Sequence, residues 1–243
     1  MLKDIETALS VIRTYETDDS AYQIANRLRR LTKPAYTTDL WTIATGSKQT
    51  FLRGDLDGTI LLAGEPTDFG HFIAALSDQI NQPGLRNSDL TQWTADHTSW
   101  SGDLGSAIVT YYRSPEKFTD LTEVLRRFAS ESDQSANIAA FLIGRTLNTT
   151  GGSISGAIST YHSQNFAQHV QAFCQLRFGP GDLATELRRP IASYLKLASD
   201  SGLSGWVKNA LKGRLFPKKT YTEADIDLAR DYFLNYLNRR SAG

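Results

Sequence analysis

The sequence predicts a mainly α-helical fold of the α+β type, in which one helical domain carries a small antiparallel sheet. Apolar residues recur about every 3.6 positions before residue 33 and after residue 103, which is typical of helices packed on a core. Between them, residues 39–63 contain short β-branched runs flanked by glycines, which is typical of strands. The length of 243 residues suits a single domain, with an N-terminal helical pair at 1–33 and a helical body at 64–243.

The first two helices are predicted from apolar residues that share one face. These are Leu2, Ile5, Leu9 and Ile12 in the first helix, and Ala21, Ile24, Ala25, Leu28 and Leu31 in the second. Lys33-Pro34 is expected to end the pair, because the residue before a proline disfavours the helical conformation.

The predicted sheet lies wholly within residues 39–63. Its clearest strands are residues 40–45 and 59–63, and residues 49–53 offer a third. Gly54 to Gly58 is the expected turn, since Asp and Gly suit a hairpin connection.

The helical body is predicted from further apolar stripes and capping residues. One helix should begin at Ser114-Pro115, and another should begin after Asp182 and break at Pro190. A helix is also expected around Leu203 to Leu211. Thr222, three residues before an aspartate, predicts the start of the last helix.

The stretch from Glu65 to Gly105 gathers histidine, carboxylates and tryptophan more densely than any other part of the chain. Asp68 and His71 lie at a predicted helix start, beginning at Thr67 or Asp68, and would share a helix face. Asp103 lies near the start of a second predicted helix. If the two starts converge, carboxylates and an imidazole meet in one pocket, and we expect Asp68 and His71 to lie close to Asp103.

The candidate catalytic residues of this stretch are Glu65, Asp68, His71, Asp96, His97 and Asp103. Trp93 and Trp100 are the candidate substrate-binding residues, because indole rings offer apolar platforms that suit a sugar. A purely structural interpretation of Asp68 and Asp103 stays open, since aspartate is a favoured helix N-cap.

Three functions fit these residues. The first is a hydrolase that uses the carboxylates and histidines for acid–base chemistry, on a small-molecule or glycan substrate and without a cofactor. The second is a hydrolase in which the same aspartates and histidines ligate a divalent metal. The third is a helical interaction module without catalysis.

The segment Asp55-Leu56-Asp57-Gly58-Thr59-Ile60 resembles the first motif of the haloacid-dehalogenase-type phosphatases, D-x-D-G-T followed by a hydrophobic residue. The resemblance implies a phosphatase in which Asp55 is the nucleophile and Asp57 the acid/base, with a magnesium ion. The same residues also fit a hairpin turn.

Composition and charge set the remaining expectations. The formal net charge is +0 and the pI about 6.9, so nothing favours general attraction to nucleic acid or anionic lipid. Cys174 is the only cysteine, so an internal disulfide cannot form. The N-terminal stretch predicts a helix rather than a signal peptide, and no apolar run is long enough to span a membrane. We therefore expect a cytoplasmic protein; signal-independent export and the oligomeric state stay open.

Overall fold

The computed structural model describes residues 4–16, 19–29, 58–80, 100–113, 116–199 and 221–242. Helices cover 78% of this part of the chain, which confirms the mainly α-helical prediction. In chain order the elements are α1 (Ile5–Tyr15), α2 (Ala21–Arg29), β1 (Thr59–Leu62), β2 (Glu65–Asp68), α3 (Phe69–Gln79), α4 (Trp100–Arg113), α5 (Leu121–Phe128), α6 (Glu131–Thr150), α7 (Ile154–His162), α8 (Phe166–Phe178), α9 (Leu183–Ser199) and α10 (Glu223–Ser241).

Two helices, α1 and α2, form within the predicted N-terminal segment, and two polar contacts join them to the body. Helices α1 and α2 bury Leu9, Ile12 and Leu28 in the core. Arg29 ends α2 in a buried ion pair with Asp78 of α3, with 2.7 Å between Nη1 and Oδ1. Glu16, just after α1, accepts hydrogen bonds from the backbone N–H and the hydroxyl of Ser155 in α7, at 2.7 and 2.6 Å.

The sheet of the described residues consists of β1 and β2, which are antiparallel. Thr59 pairs with Asp68 and Leu62 with Glu65, across a turn at Ala63-Gly64 where both residues have positive φ. The predicted bounds of 39–63 are therefore wrong at their C-terminal end, because β1 pairs with the strand that follows it. The other two predicted strands, and most of the predicted turn at 54–58, lie outside the described residues.

Two predicted helix boundaries are also wrong. Helix α5 begins at Leu121 rather than near Pro115, because Asp120 is its N-cap and accepts a hydrogen bond from the N–H of Thr122. Helix α9 runs through Pro190 without a break, as its interior apolar residues remain packed in the core. The predicted start at Thr222 is confirmed, since Thr222 and Asp225 form a capping box. The helix expected at Leu203 to Leu211 falls in a part of the chain that is not described.

Helix α6 is the central element of the described body. It packs against β2, α3, α7 and α8, while α4 packs between α5 and α9, and α10 lies on α8 and α9. The start of α6 therefore faces the end of β2 and the first turns of α3, where the candidate residues lie. None of the helices in the described ranges is both long and apolar enough to cross a membrane.

Candidate functional site

Asp68 fixes the start of α3. It is the N-cap, and its Oδ1 accepts a hydrogen bond of 3.0 Å from the backbone N–H of His71. The predicted helix start at Asp68 is thereby confirmed, and the capping bond that the structural interpretation offered for Asp68 is present. The same bond holds the backbone of His71 in place.

His71, Asp103 and Asn137 form a closed polar triangle between α3, α4 and α6. His71 Nε2 lies 3.3 Å from Asp103 Oδ2 and 3.1 Å from Asn137 Oδ1. The amide nitrogen of Asn137 donates to Asp103 Oδ2 at 2.6 Å. The predicted proximity of His71 to Asp103 is therefore confirmed. Asp103 lies in the first turn of α4, but its carboxylate bonds to Asn137 of a neighbouring helix.

The electrostatics of the triangle favour a charged imidazole. Burial alone would lower the pKa of His71, but the charge and hydrogen bond of Asp103 outweigh it, and Asp133 and Asn137 add to the effect. The pKa of His71 is raised to about 10. Since only 12% of its side chain and 15% of that of Asp103 are exposed, water screens the attraction weakly. His71 is thus a cation at neutral pH.

Asp133 is a further carboxylate of this site that the sequence analysis did not single out. It is the third residue of α6 and forms a capping box with Ser130. Burial raises its pKa, His71 opposes that rise, and the charges of Asp103 and Asp68 add to it. The aspartates of β2, α4 and α6 therefore all act on one small region around His71, which we call the His71 cluster (Asp68, His71, Asp103, Asp133 and Asn137).

Glu65 does not join its predicted partners but lies in a second polar group. Its Oε1 is 2.9 Å from Arg240 Nε in α10, and the group also includes Tyr161, Tyr236 and Glu131. Successive residues of a strand alternate between its faces, so Glu65 and Asp68, three positions apart in β2, point to opposite sides. We call Glu65, Glu131, Tyr161, Tyr236 and Arg240 the Glu65 cluster.

The prediction that Trp100 is a substrate-binding platform is wrong. The side chain is 2% exposed and its ring stacks on Phe233, with the centroids 4.9 Å apart, while Phe178 packs against it edge to face. A ring enclosed in this way is part of the core and presents no surface to a sugar. Trp93, Asp96 and His97 lie outside the described residues, so their assignment stays a prediction.

The sequence analysis missed Asp133 and Asn137, because the sequence contains only weak signals for them. Ser130 and Asp133 have the spacing of a capping box, and Asn137 lies four residues further, on the same helix face as Asp133. Both signals suggest a helix start rather than a site, and nothing local connects them to His71.

A metal at this site would have to displace a proton. An imidazolium has no free lone pair, so His71 in its charged form cannot be a ligand. Among the residues that the structure describes, no group of three or more His, Cys, Asp or Glu side chains could hold a metal ion.

The phosphatase motif receives no support from the fold. Asp55 and Asp57 are outside the described residues, and the strand after them, β1, pairs antiparallel with β2. The described chain beyond β2 is helical, whereas a doubly wound sheet needs alternating strands and helices.

The fold and the polar clusters define a mainly helical protein with a buried histidine–carboxylate group. The chain belongs to the YkzU family of uncharacterised proteins, whose family model matches residues 73–243. The match contains Asp103, Asp133 and Asn137 and begins just after His71. No curated protein and no solved structure matches the chain.

Proposed function

We propose that the chain is a hydrolase in which Asp68, Asp103 and Asp133 supply the acid–base groups and His71 supplies a fixed positive charge. The observation that carries the proposal is the contact of 3.3 Å between His71 Nε2 and Asp103 Oδ2, with two further aspartates acting on the same region. Ionisable groups with perturbed pKa values that converge from several elements are characteristic of catalytic sites.

Each charge has a chemical use in hydrolysis. A carboxyl whose pKa is raised by burial, as at Asp133, holds a proton closer to neutral pH and suits general acid work. A fixed imidazolium stabilises the negative charge that develops on an oxygen as an acyl, phosphoryl or glycosyl bond breaks. His71 therefore acts as a cation in this proposal and not as the base.

The substrate is a small molecule or a glycan in this proposal. The structure weakens the argument for a glycan. Trp100, one of the two rings that suggested a sugar, is enclosed in the core. A divalent metal remains an alternative within this proposal, but it requires His71 to lose its proton before the imidazole can bind the metal. A screen for activity should therefore include esters, phosphate esters and glycosides, each with and without magnesium or zinc.

A non-enzymatic helical interaction module is the second candidate, and a specific observation favours it. Asp68 and Asp133 both cap helices, and His71, Asp103 and Asn137 tie three helices together. A cluster with these bonds can exist for stability alone.

Asp68→Asn separates the two candidates. Asparagine caps a helix about as well as aspartate, so the unfolding midpoint should hardly change. If Asp68 exchanges protons with substrate, activity should fall by roughly 100-fold or more, since asparagine cannot take up a proton. Asp103→Asn is less suitable, because it would also remove the counter-charge of His71.

Asp120→Asn is the matched control, because Asp120 caps α5 in the same way and is exposed. It should retain both activity and stability. Equal activity of Asp68→Asn and wild type, or a wild-type chain inactive on the whole substrate panel, would reject the hydrolase and leave the interaction module.

A further inference from the structure

The side-chain amide of Asn137 has one orientation that satisfies both of its partners. Its contact of 2.6 Å with Asp103 Oδ2 requires the NH2 group, because an ionised carboxylate only accepts hydrogen bonds. The carbonyl oxygen is then turned to His71 Nε2, at 3.1 Å. Since a carbonyl oxygen also only accepts, Nε2 must carry a hydrogen.

This hydrogen is the one that the imidazole releases last. It faces two acceptors, Asn137 Oδ1 at 3.1 Å and Asp103 Oδ2 at 3.3 Å, and one of them is charged. Hydrogen bonds to a charged acceptor are about twice as strong as those between neutral groups. Deprotonation of Nε2 would also set its lone pair against two oxygen atoms, which is repulsive.

We propose that Asn137 is a positioning residue that keeps Nε2 of His71 protonated, so that the ring exchanges protons only through Nδ1. Asp68 holds the backbone N–H of the same histidine, while Asn137 holds its ring. The catalytic role of the ring as a fixed cation beside Asp103 rests on the proposed function, whereas the orientation of the ring concerns the folded chain alone.

The other groups that act on His71 cannot replace Asn137 in this role. Asp103 acts on the ring from α4 and Asp133 from the first turn of α6, while Asp68, at the end of β2, binds the backbone N–H of His71. All three are carboxylates, and the charges of Asp103 and Asp133 favour the charged ring. Asn137 bonds to both members of the His71–Asp103 pair, which none of these carboxylates does, and so sets which nitrogen faces Asp103.

The experiment is a ¹⁵N NMR titration of the histidine ring nitrogens in the full-length chain, from about pH 6 to about pH 11, a range that spans the free imidazole pKa of about 6.5. Loss of signals in His71→Gln assigns the resonances. In wild type, Nδ1 should lose its proton while Nε2 keeps it. In Asn137→Leu, the proton affinity of His71 should fall by about tenfold, which is about one pKa unit, and the neutral ring should populate both tautomers.

Gln134→Leu is the matched control. Gln134 lies on the same helix, is fully buried, and its amide atoms have no hydrogen-bond partner. Its replacement removes a buried amide from α6 but should leave the His71 titration unchanged. If loss of a buried amide from α6 altered His71 only by disturbing the structure, Asn137→Leu and Gln134→Leu would shift the His71 titration equally.

Two results would overturn the proposal. One is a wild-type ring that loses the Nε2 proton first, which needs no variant and so can be read even if Asn137→Leu fails to fold. The other is an identical His71 titration in Asn137→Leu and Gln134→Leu. Neither readout depends on turnover, so failure of the proposed hydrolase and failure of the ring orientation are distinguishable.

Discussion

The two polar clusters begin on the same short strand and reach opposite electrostatic outcomes. In the His71 cluster, partners on two neighbouring helices, α4 and α6, overcome the effect of burial and keep the histidine charged. In the Glu65 cluster, burial prevails over the attraction of Arg240 and raises the pKa of Glu65. An ion pair between a buried carboxylate and a partly exposed arginine is therefore not equivalent to a closed network of hydrogen bonds.

The difference follows from how well each cluster satisfies its atoms. The His71–Asp103–Asn137 triangle bonds each of its three members to the other two. In the Glu65 cluster, Oε1 of Glu65 and Nε of Arg240 are at ion-pair distance without hydrogen-bond alignment, and the hydroxyl of Tyr161 has no partner. Arg240 also keeps 36% of its side chain exposed, so water competes for it.

The largest expected effect is the loss of Asp103. Asp103→Ala should lower the free energy of unfolding by about 3 kcal/mol, because it leaves a buried imidazolium without its counter-charge. Glu65→Gln should change it by less than about 1 kcal/mol, since the partly exposed Arg240 remains hydrated and a costly buried carboxylate is removed. Denaturant unfolding at neutral pH measures both. Equal losses would show that the clusters contribute alike.

The pH dependence of stability should separate the clusters next. The folded pKa of His71, about 10, is above its ordinary value of 6.5, so its stabilisation is complete below pH 6.5 and is lost as pH rises to about 10. The pKa of Glu65 is raised from 4.5, so its contribution is present below pH 4.5 and is lost as pH rises through the higher folded value. Unfolding free energy measured against pH should fall in both windows.

Each window has its own control. His71→Gln should remove the fall above pH 6.5 and leave the acidic one. Glu65→Gln should leave the alkaline fall and reduce the acidic one, to which Asp133, whose pKa is also raised, contributes the rest. Persistence of the alkaline fall in His71→Gln would assign it to another group, such as Cys174, whose pKa burial also raises.

The smallest effect concerns the hydroxyl of Tyr161. It is buried without a hydrogen-bond partner, so Tyr161→Phe should leave stability unchanged or raise it by up to about 1 kcal/mol. Tyr112→Phe is the matched control, because its hydroxyl donates to Asp225 at 2.5 Å, and its loss should cost about 1 kcal/mol. Thermal unfolding of both variants tests this. A clear loss in Tyr161→Phe would reveal a partner for that hydroxyl.

Local patterns predicted much of the helical structure but missed β2. Helices α1 and α2 follow from apolar spacing, and the start of α3 from an aspartate before an apolar run. Strand β2 was missed because Glu65-Pro66-Thr67-Asp68 has no apolar alternation, and its buried side chains, Glu65 and Thr67, are polar. The grouping of Glu65 with Asp68 was wrong for the same reason, since only a strand sends them to opposite faces.

The candidate site was predictable only as far as neighbouring residues define it. Asp68 and His71 are close in sequence, and Asp103 was joined to them through a second helix start. Asn137 lies 66 residues from His71, and such a contact depends on how α6 packs against α3. A single sequence contains no local pattern for that packing.

The contacts between the N-terminal helices and the rest of the protein determine where this chain can be shortened. The family model begins at residue 73, inside α3, yet Arg29 neutralises Asp78 from outside that range, and the two side chains are 6% and 7% exposed. A fragment of residues 73–243 would also lose Glu16, which binds the first turn of α7, and Asp68, which caps α3. The matched segment thus omits contacts that hold α3 and α7 in place, and an expressed fragment should keep the first 72 residues.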